Sequence, residues 1–286
     1  MDKTLIGKNG YLFLQNDSGN ELKIHNENLC LVNPNFYKRY EPILDKFVLI
    51  VFPNKCLIYS KHLPDTFDLK YRPGFDLYSN FLKDKIIDGF PLLKNNDTYY
   101  KTDTHINAKG GLIIYYMFID KINKLFNLDI VKEEYTLTKQ ECSSLMSTGL
   151  GIGDLTYRIN LGNQQLENIN DVFYKIDNNE QIYCRYTFTD NSSIRILNES
   201  LTDVTNLYIN NTLTWDIISN CILYVKNPDK KYKVVIFYDS FLLSTLQLYT
   251  SLFHEIYFIK DIFYLDRITK IQPDYIFEFR CERFLF

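Results

Sequence analysis

The chain contains four histidines, and one of them, His105, follows an aspartate by two positions in "YKTDTHINAKGG" (100–111). Residues i and i+2 of an extended segment point to the same side. The Asp103 carboxylate can then bond one imidazole nitrogen, fix its tautomer and leave the other nitrogen as a base. That pair is half of a serine-type triad and needs a nucleophile from elsewhere. The alternative is a polar turn leading into a helix, a common use of Asp, Thr and Asn.

Ser240, in "VVIFYDSF" (234–241), is placed where a nucleophile is useful. It follows an apolar run that reads as a strand and precedes a helical pattern. In open α/β sheets reactive groups gather at the carboxyl ends of strands. A sharp turn exposes the hydroxyl, and a helix N-terminus offers N–H groups to an oxyanion. A serine here can equally be a helix cap. The two half-sites become one only if the fold joins Ser240 to His105.

The elements around them are legible. "KFVLIVFP" (46–53) is a continuous apolar run, as in a strand buried on both faces of a parallel sheet. "FDLYSNFLKDKII" (75–87) and "AKGGLIIYYMFIDKINKLF" (108–126) carry helical spacing. From 231 onward the pattern is strand, helix, strand, helix, strand, with strands at "KVVIFY", "HEIYFI" and "DYIFEF". This predicts an α/β fold with helices on both faces of a mainly parallel sheet. Residues 165–228 are polar, Asn-rich and irregular, and read as short strands or loops inserted in one domain spanning 1–286.

Composition excludes several classes. Hydrophobic residues make up 46% of the 286, enough for a large core, and the net charge of −3 gives no basic surface for nucleic acid. Cys30, Cys56, Cys142, Cys184, Cys221 and Cys281 form no CxxC pair and stand at no metal-ligand spacing from a histidine. They read as reduced thiols, with no metal site. The 23 Tyr and 21 Phe fit either codon bias or a tyrosine-lined sugar cleft. No segment reads as a membrane span or a signal peptide. A cytoplasmic protein is therefore expected, or a periplasmic one if the N-terminus is trimmed.

Six stretches in order resemble the alginate O-acetyltransferase-like (AlgJ/AlgX-type) branch of the SGNH hydrolase superfamily. They are "GKNGYLFL" (7–14), "VFPNKCLIYSKHLP" (51–64), "YKTDTHINAKGG", "GIGDL" (151–155), "VVIFYDSF" and "QPDYIFEFRCERFL" (272–285). The resemblance implies an SGNH-like three-layer α/β/α domain with a permuted order of motifs, the serine coming last. It implies Ser240 as nucleophile, His105 as general base and Asp103 as its orienting partner, moving acetyl groups to or from polysaccharide hydroxyls through an acetyl-serine. Two positions depart from the pattern: Ile106 stands where the family has Trp, and Tyr238 where it has Gly. Tyr238, Gly153, Asn107 and Arg283 are candidates for oxyanion or substrate contacts, Arg283 being equally a candidate for a structural ion pair. No carbohydrate-binding module is expected after the last motif.

The leading expectation is an O-acetyltransferase acting on a glycan or glycan precursor. The alternatives are a carbohydrate acetylesterase with the same triad and a non-catalytic glycan-binding or assembly protein. No bound cofactor is expected. The acetyl donor would be acetyl-CoA in the cytoplasm, or a membrane acetyl-transfer partner outside it. No P-loop or Rossmann fingerprint accompanies the acetyl-CoA expectation.

Overall fold

The structure is a computed structural model, and it describes residues 3–17, 19–94, 96–142, 154–155, 171–176, 183–188, 194–201 and 221–285. In chain order its strands and α-helices are β1 (Thr4–Ile6), β2 (Leu12–Leu14), α1 (Glu21–Glu27), β3 (Phe47–Phe52), α2 (Lys55–Ile58), α3 (Pro73–Leu82), β4 (Ile86–Asp88), α4 (Phe90–Leu93), α5 (Ala108–Phe126), β5 (Leu137–Cys142), β6 (Asp171–Ile176), β7 (Tyr183–Phe188), β8 (Ile194–Leu201), β9 (Cys221–Lys226), β10 (Lys233–Tyr238), β11 (Glu255–Ile259), α6 (Leu265–Ile271) and β12 (Tyr275–Cys281).

Eight strands form the main sheet in the order β4-β3-β12-β10-β11-β9-β7-β8. The first five are mutually parallel, and β9, β7 and β8 continue the sheet antiparallel. Alternation divides the core. Val48, Ile50, Phe52, Val234, Ile236, Phe277 and Phe279 face the layer containing α5. Phe47, Leu49, Val51, Val235, Phe237 and Ile276 face the opposite layer, where Tyr78 and Leu82 of α3 and Ile268 and Ile271 of α6 pack. All six β3 residues are buried, as a strand covered on both faces requires. Burying each such side chain contributes about 1.5–3 kcal/mol. The fold is therefore the three-layer α/β/α arrangement expected.

Three details differ from expectation. The helix predicted over 75–87 stops at Leu82. Lys83 takes a left-handed backbone (φ 55), and Ile86–Asp88 pair with β3 as an edge strand. A short apolar run cannot by its spacing alone announce helix or strand. Within 165–228, read as short strands or loops, four strands lie among the described residues, and the difference is that β7, β8 and β9 extend the main sheet. The segment after Ser240 is a 3-10 helix over Leu243–Tyr249.

Gly110 and Gly111 let α5 approach its surroundings closely. A Cβ on Gly110 would lie 2.6 Å from the Thr98 carbonyl oxygen, and one on Gly111 would collide with Thr245 Cγ2. The second contact seats the helix that follows His105 directly on the 3-10 helix that follows Ser240. It is this packing that brings the two halves of the site together.

Candidate active site

The ends of β10, β12 and β3 supply one side of the site. At the end of β10 the chain turns through Asp239 and Ser240. The Asp239 carboxylate accepts the Phe241 N–H through Oδ1 (2.9 Å) and the Cys281 N–H through Oδ2 (2.6 Å). It thus ties the serine turn to the end of β12. Ser240 is not a helix cap: the 3-10 helix begins three residues later, after Leu242. This also removes the helix N-terminus expected at the serine itself.

The other side is a hairpin-like loop. Tyr99 and Ile106 form an antiparallel bridge, the Asn107 N–H donates to the Thr98 carbonyl (2.9 Å), and the Tyr99 hydroxyl donates to the Pro53 carbonyl. Asp103, Thr104 and His105 lie at the tip of this loop. The backbone there bends instead of running extended, so Asp103 Oδ1 accepts both the His105 backbone N–H (2.9 Å) and the ring Nδ1–H (2.6 Å). The turn and the half-triad foreseen as alternatives are one structure.

His105 Nε2 lies 2.8 Å from Ser240 Oγ. With Nδ1–H given to Asp103, Nε2 is the acceptor of the serine proton, the tautomer a general base needs. The Asp103 and His105 side chains are 22% and 26% exposed, so the site is open to a substrate while half shielded from water. Burial alone would raise the Asp103 carboxyl. The hydrogen bond and charge of His105, with the N–H groups of Asp154 and His105, outweigh it and hold the carboxyl well below the usual range.

Two residues not singled out from sequence complete the loop's support. Lys55, 2% exposed at the start of α2, donates from Nζ to the carbonyls of Leu12 (2.7 Å), Lys101 (2.7 Å) and Asp103 (3.0 Å). Asp154 receives the Thr104 N–H at Oδ1 (2.8 Å) and the Thr104 hydroxyl at Oδ2 (2.9 Å), and its own N–H donates to Asp103 Oδ2 (3.0 Å). Burial and the Asp103 charge raise the Asp154 carboxyl above its ordinary value. The signals were present. Lys55 is a lone cation entering an apolar helix, and Asp154 sits in the quoted "GIGDL".

The remaining candidates are placed elsewhere or outside the description. Asn107 caps α5, accepting the Gly110 N–H (3.0 Å) and donating to the Asp97 carbonyl (3.0 Å) at zero exposure. Its amide serves the helix rather than a substrate. Tyr238 is 1% exposed and meets Phe258 edge-on, so its ring packs in the core. Arg283 is a buried ion-pair partner of Glu21 (3.0 Å), and Phe241 lies between its guanidinium (5.2 Å) and the imidazole (4.9 Å). Gly153 lies outside the described residues. Ile106 is fully buried beside Gly110.

The ligand-capable atoms of Asp103, His105 and Asp154 lie within 4.8 Å of one another. They are already engaged with each other, with Thr104 and with Ser240, which is the pattern of a hydrogen-bonded triad. No helix among the described residues is long and apolar enough to cross a membrane.

No protein-family model and no curated protein matches the sequence. Solved structures match its fold. PatB1 of Bacillus cereus aligns with 100% of this chain and 97% of its own at a TM-score of 0.63 and 14% identity, and it is also known with a sulfonyl adduct. The O-acetyltransferase domain of Pseudomonas putida AlgJ aligns with 100% of this chain and 92% of its own (TM-score 0.55, 11% identity). A DHHW family protein from Eubacterium siraeum aligns with 98% and 93% (TM-score 0.54, 16% identity). The three-dimensional comparison shows that this chain has the α/β fold of the PatB1 and AlgJ structures.

Proposed function

We propose that this protein is an O-acetyltransferase acting on a polysaccharide or glycan precursor through Ser240, His105 and Asp103, with an acetyl-serine intermediate. The observation that carries the reading is the continuous hydrogen-bond line Asp103–His105–Ser240, 2.6 and 2.8 Å long, assembled from segments 135 positions apart. The likeness to an O-acetyltransferase domain supports the kind of group transferred.

The steps follow from the geometry. Ser240 Oγ attacks the acetyl carbonyl as His105 Nε2 takes its proton, and Asp103 stabilises the imidazolium. The tetrahedral oxyanion collapses, and the imidazolium protonates the departing group. A glycan hydroxyl then gives its proton to Nε2 and attacks the acetyl-serine, which releases Ser240. The Phe241 N–H is committed to Asp239, whereas the Ser240 N–H makes no hydrogen bond to any described residue. Ser240 N–H is therefore the first oxyanion donor. Acetyl-CoA or a membrane acetyl-transfer partner would supply the acetyl group.

The test is p-nitrophenyl acetate turnover by the wild type and Ser240→Ala, with and without oligosaccharide acceptors. Serine-dependent turnover with acetyl appearing on the sugar supports the reading. Serine-dependent turnover that gives only acetate, whatever the acceptor, supports the esterase. Equal rates in both proteins would refute a Ser240 nucleophile.

A further inference from the structure

We propose that Asp154 is a positioning residue of the triad, a reading that rests on the acyl-transfer assignment of Ser240, His105 and Asp103. Thr104 stands between the two triad members of the loop. Both groups it can donate, the backbone N–H and the hydroxyl, go to the Asp154 carboxylate at 2.8 and 2.9 Å. The peptide joining Asp103 to His105 is thereby gripped from outside the loop.

The second grip is on Asp103 itself. Its Oδ1 faces His105, and rotation about the Cβ–Cγ bond of an aspartate is soft. The N–H of Asp154 at 3.0 Å from Oδ2 holds the other end of the carboxylate and so sets its plane. That plane directs Oδ1 at Nδ1. Asp154 is itself anchored: the Leu155 N–H donates to the Thr102 carbonyl (3.2 Å) and the Thr4 hydroxyl donates to the Leu155 carbonyl (2.8 Å). The Leu155 side chain is fully buried against Leu12 and Leu14. The clasp therefore fastens the loop to the small β1–β2 sheet. Lys55, which donates to the carbonyls of Leu12 and Asp103, fastens the same two parts.

The role is geometric, so an amide should replace the carboxylate. Asn at 154 can accept the Thr104 N–H through Oδ1 and donate to the Thr104 hydroxyl oxygen, whereas Ala can do neither. The experiment measures acylation of the whole chain by p-nitrophenyl acetate in Asp154→Ala and Asp154→Asn. It also records the low-field proton resonance of His105 Nδ1–H, which reports the His–Asp bond without substrate. The alanine variant should acylate about 10- to 100-fold more slowly per folded molecule, with the resonance broadened or moved upfield. The asparagine variant should keep the resonance and remain within about threefold of wild type. Thr104→Val, which keeps the N–H bond and loses the hydroxyl bond, should fall between them and serves if the alanine variant does not fold. A wild-type rate and resonance in Asp154→Ala, or an asparagine variant as impaired as alanine, would overturn the inference. If the wild type forms no Ser240 adduct, the acyl-transfer reading fails, and the response of the resonance to Asp154 still decides this one.

Discussion

Acidification should destabilise this fold through His25. The residue is 1% exposed in α1. Its Nδ1–H donates to the Tyr71 carbonyl (2.7 Å), and its Nε2 accepts from the Asn54 amide (2.8 Å). Asn54 Oδ1 in turn accepts the Cys281 thiol (3.1 Å) and the Arg283 N–H (3.3 Å), so the imidazole is joined through Asn54 to the end of β12. A proton on Nε2 would face an amide that is already donating. Burial first, and then the nearby Arg72 charge, lower the histidine from 6.5 to about 4, against the opposing bond to Tyr71. The unfolded chain therefore binds the proton more readily than the native one. Stability is full above about 6.5, falls as the pH drops through the window, and has lost this contribution by about 4. The difference corresponds to roughly 3 kcal/mol, since each tenfold change in proton affinity is about 1.4 kcal/mol. Urea unfolding of the wild type and His25→Gln across pH 7 to 4 measures it. The variant's stability should fall by about 3 kcal/mol less over that range than the wild type's. Parallel curves would refute the assignment of a buried, neutral His25.

Other perturbations probe the supports of the site. Gly111→Ala places a methyl group in Thr245, so α5 must move off the 3-10 helix. About 1–3 kcal/mol of stability should be lost, with the esterase rate falling more than the folded fraction, which a thermal melt and active-site titration would separate. Lys55→Met takes the donor from one buried and two partly buried carbonyl acceptors and should cost about 2–4 kcal/mol, read by denaturant unfolding; an unchanged midpoint would argue against the ammonium clamp. Arg72 bonds both Asp88 and Glu282 at 2.8 Å from a largely buried position. Arg72→Met should destabilise by about 3–5 kcal/mol at neutral pH because it leaves Glu282 buried and unpaired.

How much of this was visible beforehand depended on the kind of signal. β3, β10 and β12 announced themselves as apolar runs that only a doubly covered sheet accommodates. α5 was marked by its spacing and its length. The edge strand β4 was hidden because Ile86–Asp88 continue a helical pattern, and only the left-handed Lys83 breaks it. The sheet extension by β7, β8 and β9 was hidden because these six- to eight-residue strands stand in a polar, Asn-rich stretch whose spacing names no pairing partner. At the site, Asp103, His105 and Ser240 were legible as chemistry-bearing types in suggestive settings. Their meeting was not, since it depends on Gly111 admitting Thr245 and on the strand order placing β10 beside β12. Lys55, Asp154 and Asp239 act on backbone groups, and one sequence gives no spacing rule that connects a side chain to a distant N–H or carbonyl. The same limit explains Asn107 and Tyr238, each two positions from a triad residue yet committed by burial to a cap or the core, whereas for Arg283 the structure selects the ion pair from the two readings the terminal motif allowed.

The central claim is that Ser240 carries the acyl group. The direct measurement is peptide-level mass spectrometry of the whole chain, quenched in acid during turnover of an acetyl donor, with His105→Ala and Ser240→Ala as controls. The account predicts an acetyl mass on the peptide containing Ser240 in the wild type, none at that position in Ser240→Ala, and strongly reduced labelling in His105→Ala. Acetyl at another residue, or equal labelling of that peptide when His105 is removed, would contradict it.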